Sequence, residues 1–248
     1  MSKRNRAETR AERAAAAILE QQRRERRRRT WTITGIVAGL VAIVVVLFVI
    51  QSTRDTTGEK LTSKSVPDGV TNTYGVVVGD ADAPTTVQIY EDFQCPVCAE
   101  FEKATSAQLL AAVDAGKVKL DYRMVSFLDR ASTNKYSSRA LNAAAVVLDT
   151  SGAEVFQKFH ALLFENQPAE GTAGPSDDQL IEYAVEAGAS ESDVRPGIED
   201  DEFGSWVDNT EDQMSKNGVR GTPSVFVDGE FAGGDLQSSI DAALEAAD

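Results

Sequence analysis

"DFQCPVCAEF", residues Asp92–Phe101, holds both cysteines of a 248-residue chain. Two cysteines two residues apart can be half of a zinc site, a structural bridge or a redox-active dithiol. The stretch before them, "TTVQIYEDF", is β-branched and apolar and reads as a strand. The stretch after, "VCAEFEKATSAQLLAAVDAGK", has helical spacing through Phe101, Leu109 or Leu110, and Val113, and closes at Gly116. The pair therefore stands at a strand-to-helix junction, with Cys95 where unpaired N–H groups and the helix dipole favour negative charge. That placement favours the thiolate, the form that attacks and is readily expelled. Pro96 has no N–H to lose and suits the first helical position. Cys98, one turn further in, is expected to be covered and to act as the resolving thiol. Zinc would need four ligands, and the chain offers two cysteines and one histidine, His160, far along the sequence. A bridge closing so short a loop removes little unfolded-state entropy. The redox dithiol is the reading that remains.

The ends of the chain bear on where such chemistry would run. The formal charge is −14. Residues 1–30 carry eleven Lys/Arg and four Glu, a net of +7, which leaves −21 for the rest. Between these halves lies "WTITGIVAGLVAIVVVLFVI", Trp31–Ile50, twenty residues without a charge. As a helix it would cover about 30 Å, the thickness of a bilayer's hydrocarbon core. The long basic segment, the long apolar run and the lack of a small-x-small site after it favour a retained anchor over a cleaved signal peptide. Arg23, Arg24 and Arg26 to Arg29 flank the span and place the N-terminus in the cytoplasm by the positive-inside rule. The basic segment has no aromatic residue before Trp31 and no equipment for reading bases, so nucleic acid is not the expected partner. Everything after Ile50 is expected outside, where paired cysteines can form and exchange disulfides.

Residues 51–72 are polar and aperiodic and read as a flexible linker. A domain is expected over 73–248. "YGVVVGD" and "TTVQIYEDF" are its first strands and "VKLDYRMVSF" a third. From about 129 to 216 the pattern turns helical: "YSSRALNAAAVVLD", "AEVFQKFHALLFEN", "SDDQLIEYAVEAGA" and "EDDEFGSWVDNTEDQMSKN". Ser176 with Gln179 makes a capping box and Gly188 a stop. Strands return in "PSVFVDGEFAGG", turned by Asp228-Gly229, and a helix over Leu236–Ala247 follows. The expected fold class is α/β, one core domain with an inserted helical subdomain.

The run "VVVGDADAPTTVQIYEDFQCPVCAEFE" resembles the DsbA-like branch of the thioredoxin superfamily, in particular its membrane-anchored Gram-positive and actinobacterial members. The resemblance covers about Tyr74 to Asp248 and includes "GVRGTPSVFVDG". It implies a thioredoxin-like fold with the helical insertion as a lid, and a cis-proline at Pro223, preceded by Thr222, facing the CPxC pair. It implies an extracytoplasmic protein thiol–disulfide oxidoreductase acting on exported proteins with free thiols, and, for an oxidase, a DsbB-like or VKOR-like membrane partner that reoxidises it. No cofactor or metal is expected. The alternatives are a disulfide reductase or isomerase, and a thioredoxin-like binding or chaperone module. The chain departs from the pattern at one place. Thioredoxin-like proteins often bury a carboxylate six residues before the first cysteine, and here that residue is Ile89. Glu91 is the candidate proton acceptor for Cys98, against the alternative of a solvated strand-end carboxylate. His160, amid Phe156, Phe159, Leu163 and Phe164, reads as a packed or rim histidine rather than a catalytic base. Phe203, Trp206 and Phe231 fit either core or a substrate groove.

Overall fold

The computed structural model describes residues 65–248, other than 73 and 234. Among them no helix is long and apolar enough to cross a membrane. The basic segment, the apolar span at 31–50 and the linker as far as residue 64 lie outside the described residues.

The order of elements is β1 (Val70–Thr71), β2 (Gly75–Val78), β3 (Thr85–Glu91), α1 (Pro96–Asp114), β4 (Val118–Met124), α2 (Tyr136–Glu165), α3 (Asp177–Ala187), α4 (Glu191–Glu199), α5 (Gly204–Lys216), β5 (Ser224–Val227), β6 (Glu230–Phe231) and α6 (Leu236–Ala247). A 3₁₀ turn, Phe127–Arg130, leads into the helical block. The six strands form one sheet ordered β1-β2-β4-β3-β5-β6. β3 and β4 are parallel, joined through α1, and the other pairings are antiparallel. β3 is thereby flanked on both sides, and Val87 and Ile89 on it are fully buried, as befits an inner strand. Its C-terminal end delivers the chain to Asp92–Cys95 at the head of α1.

α1 buries Cys98, Phe101, Thr105 and Leu109 and packs on α6. The run Ala143–Leu148 on α2 is buried throughout, because α2 is enclosed by α3, α4 and α5 as well as by the sheet. The capping box of Ser176 and Gln179 is present, and Gly188 ends α3 with φ 114°. Asp228 and Gly229 both have positive φ, 49° and 86°, as the tight turn between β5 and β6 requires.

Three details differ from the sequence reading, and a fourth decides between alternatives it left open. The tether does not run free to residue 72: Val70–Thr71 pairs with β2, Val66 and Val70 pack on the core, and the Asp68 N–H donates to Asp149. The two helices expected across 136–166 are consecutive within α2, separated where Gly152 takes φ 81° and ψ 176°. The expected helix from 199 is interrupted before Gly204, and a short helix, α4, precedes it despite Pro196. Phe203 and Trp206 belong to the core, Trp206 stacking on Tyr74 at 6.4 Å, while Phe231 is exposed.

Candidate active site

Cys95 occupies the N-cap of α1 with extended backbone (φ −77°, ψ 114°), and Pro96 follows at the first helical position. Both cysteines are free thiols. Cys95 is 6% exposed and Cys98 is sealed at 0%. Across from them the Thr222–Pro223 peptide is cis, and Cys95 Sγ lies 3.5 Å from the Thr222 carbonyl oxygen. Thr222 Oγ1 is buried and otherwise unpartnered, so its hydroxyl is available to donate to a Cys95 thiolate. The structure therefore brings Cys95, Pro96, Cys98, Thr222 and Pro223 together, although 126 residues separate Thr222 from Pro96.

The two thiols differ sharply in acidity. A hydrogen bond from the Cys98 thiol is the main effect holding Cys95 down, to about 6, against the cost of burial. Thr222 and the backbone N–H groups of Cys98 and Val97 add to it. The neighbouring thiol contributes more than the helix terminus that the sequence points to. Burial pushes Cys98 well above an ordinary thiol, helped by Cys95 itself and by the negative charges of Glu91 and Cys95. One cysteine is built to ionise and the other to stay protonated.

The loop before Cys95 is held rigidly. Asp92, buried, accepts from the Gln94 N–H at 2.9 Å, the Leu128 N–H at 3.0 Å and the Ser137 hydroxyl at 2.6 Å. Burial outweighs these bonds and raises its carboxyl to about 6. From the lid, Gln167 Nε2 donates to the carbonyls of Phe93 (3.1 Å) and Cys95 (3.0 Å). Asp92 and Gln167 position the dithiol without touching its sulfurs by side chain, and no sequence pattern marks Gln167 because its partners are distant backbone atoms.

Glu91 is no solvated strand-end carboxylate: it is 0% exposed, and its Oε2 lies 3.1 Å from His160 Nε2. His160 is a packed histidine among Tyr122, Phe93, Phe156 and Phe164, with ring centroids 4.4 to 6.0 Å away. A third buried ionisable group, Glu102 on α1, lies beside them, and the donor atoms of Glu91, Glu102 and His160 all fall within 4.8 Å of one another. Among the described residues this trio is the group whose spacing could accept a metal ion. No sequence pattern singles out Glu102, because its partners in the trio come from distant segments.

A CPxC dithiol at a strand–helix junction, facing a cis-proline within a sheet that pairs β3 and β4 in parallel, is the arrangement shared with known proteins. The family described as Thioredoxin matches residues 71–246. The chain belongs to the thioredoxin family. Among solved structures, reduced DsbA from Mycobacterium tuberculosis is similar at 34% identity and a TM-score of 0.58, covering 70% of this chain and 99% of that one. The thioredoxin domain also resembles the disulfide bond formation protein D of Bacillus subtilis, at 26% identity over 61% of this chain and 66% of that protein. It matches the serine/threonine-protein kinase PknE of M. tuberculosis at 29% identity over 61% of this chain. The chain spans only 28% of that kinase's length.

Proposed function

We propose that this protein is a thiol–disulfide oxidoreductase of the DsbA type that introduces disulfides into exported proteins. The observation that carries the reading is the asymmetry of the dithiol: Cys95 is acidified and set against Thr222 and the cis-proline, while Cys98 is sealed and kept protonated. A substrate thiolate attacks Sγ of Cys95 in the Cys95–Cys98 disulfide. The S–S bond breaks, Cys98 leaves with the electron pair and takes up a proton, and a mixed disulfide joins substrate to Cys95. The substrate's second thiol, deprotonated, attacks its own sulfur in that mixed disulfide and expels Cys95 as a thiolate. The substrate is oxidised by two electrons and the enzyme is left as Cys95 thiolate and Cys98 thiol. A low Cys95 pKa makes that last leaving group a good one.

Reoxidation reverses the roles: Cys95 attacks the partner's disulfide, and Cys98 must lose its proton to resolve the intermediate. Glu91, buried near it, is the acceptor in this reading. The partner would be a membrane quinone-coupled protein of the DsbB-like or VKOR-like kind. The basic N-terminal segment followed by the uncharged run Trp31–Ile50 supports a single-pass anchor with the dithiol domain on the outer side.

The test is to trap clients. A Cys98→Ala form produced in cells should accumulate covalent adducts through Cys95 with exported, cysteine-containing proteins, and reductant should release them. A Cys95→Ala form should trap none. Adducts confined to cytoplasmic proteins would refute the location, and a doubly substituted form with full cellular function would favour a binding or chaperone module instead.

A further inference from the structure

The part of the chain that carries the dithiol is strongly acidic. Over residues 65–248, thirty-three Asp and Glu stand against eleven Lys and Arg. Four of the five arginines there are already paired with carboxylates, and Arg195 alone engages Asp178, Glu191 and Glu199. Arg220 is the fifth, and among the described residues it has no carboxylate partner.

Its place is fixed from both sides. Gly218, with φ 77°, follows the end of α5, and the Val219 N–H donates back to the Met214 carbonyl at 3.1 Å. Val219 is buried against Tyr90, Val125 and Met214, and Arg220, the next residue, is exposed. Two residues on, Thr222 puts its carbonyl oxygen 3.5 Å from Cys95 Sγ and opens the cis peptide to Pro223. Successive Cα atoms are about 3.8 Å apart, so the Cα of Arg220 lies within about 7.6 Å of that of Thr222. An extended client segment covers about 7–11 Å over two or three residues. A side chain that far along the client from a cysteine bound at Cys95 is therefore within reach of the guanidinium. An unpaired cation is a local attraction in a field that otherwise repels anions. A carboxylate brought there by a client meets two parallel N–H donors that no carboxylate of this chain occupies.

We propose that Arg220 is a specificity-determining residue of the dithiol exchange, selecting polypeptide clients with an Asp or Glu two or three residues from the reacting cysteine. The proposal rests on the reading that Cys95–Cys98 exchanges disulfides, and it adds the substrate class. Two electrons pass from the client's two thiols to the Cys95–Cys98 disulfide. Of the two protons released, one ends on Cys98 and one in solvent, because Cys95 stays ionised. Arg220 takes no part in bond breaking; it holds the segment so that its thiolate meets Cys95 Sγ.

The test is the rate at which unstructured peptides with two cysteines reduce the oxidised full chain. The peptides are identical except for Asp, Asn or Lys two residues from each cysteine. Each is run against the wild type, Arg220→Gln and Arg220→Glu, so that the intrinsic reactivity of a peptide cancels in the mutant cycle. Relative to Arg220→Gln, the wild type should favour the Asp peptide over the Asn peptide by about two- to fivefold, as exposed ion pairs do. Arg220→Glu should invert the order, the Lys peptide gaining on the Asp peptide. The preference should fade as salt rises from about 10 mM to about 1 M, where the Debye length falls from about 30 Å to about 3 Å. A loss of rate equal for all three peptides would overturn the proposal, by showing that Arg220 serves the loop or Cys95 rather than the client. An Asp preference that survives in Arg220→Glu would overturn it as well. If none of the peptides reduces the wild type, the exchange reading itself falls, a result distinct from reaction without preference.

Discussion

Thr222 offers the most direct handle on the acidity of Cys95. Its hydroxyl is one of the hydrogen bonds that hold the thiolate at about 6, and Thr222→Val removes that donor while keeping the side chain's shape. A hydrogen bond to a charged group contributes about 1.5–3 kcal/mol, or about 1–2 pKa units. The Cys95 midpoint should therefore rise from about 6 to about 7–8. At pH 7 the thiolate fraction would drop from roughly 90% to between about 10% and 50%. The reduced state would lose about 1–1.4 kcal/mol of stabilisation relative to the oxidised one, making the couple about 20–30 mV more reducing. The assay is the pH profile of iodoacetamide alkylation at Cys95. The thiolate gain over an ordinary thiol is about 30-fold at pH 7, but the lower basicity of the sulfur takes back about 10- to 18-fold of it. The wild type should then react only about two- to threefold faster than a free cysteine, with a plateau above pH 7. The midpoint, not the absolute rate, is the diagnostic quantity. An unchanged midpoint in Thr222→Val would refute the role given to the hydroxyl.

Stability should depend on pH in a direction unusual for buried carboxyls that are paired with cations. Glu91 and Glu102, at about 8, and Asp92, at about 6, bind protons more tightly folded than unfolded, so they stabilise as pH falls through these values towards 4. Cys95 opposes them, its contribution fading as pH falls through 6. Counting the coupled glutamates once, guanidinium unfolding should show the reduced protein more stable at pH 5 than at pH 8 by on the order of 2 kcal/mol, and the oxidised protein by on the order of 5. Gly75→Ala should destabilise by up to about 3–5 kcal/mol in thermal or denaturant unfolding, because a Cβ there would sit 2.2 Å from Asp121 Oδ1 and force apart its buried 2.8 Å pair with Arg123. Gln167→Ala should cost about 1–3 kcal/mol and slow dithiol turnover, since two buried carbonyls beside Cys95 lose their donor, whereas activity unchanged within error would show that the lid does not hold the loop.

Local chemistry explains why so much of the reacting centre could be read from the chain. The CPxC run, the helix it opens, the Thr-Pro before β5 and the Asp228-Gly229 turn are each specified within a few residues. The helical insertion was legible through its capping box and its apolar spacing. What escaped was set by contacts between distant segments. Glu102 looks like any helix-surface glutamate until the packing of α2 on α1 encloses it with Glu91 and His160. α4 was hidden by Pro196, which argues against a helix in isolation. The interruption before Gly204 was missed because acidic residues continue the helical pattern, although Asn142 Oδ1 accepts from the Phe203 N–H at 2.9 Å and fixes the chain there. β1 reads as linker in the sequence because two paired residues leave no periodicity to detect.

The equilibrium reduction potential of the Cys95–Cys98 couple in the full chain, set against glutathione, tests the central claim most directly. The account predicts a value on the oxidising side of about −200 mV, with the oxidised protein passing its disulfide to an unfolded dithiol substrate. A value near the roughly −270 mV of thioredoxin, without such transfer, would contradict it and make the protein a reductant.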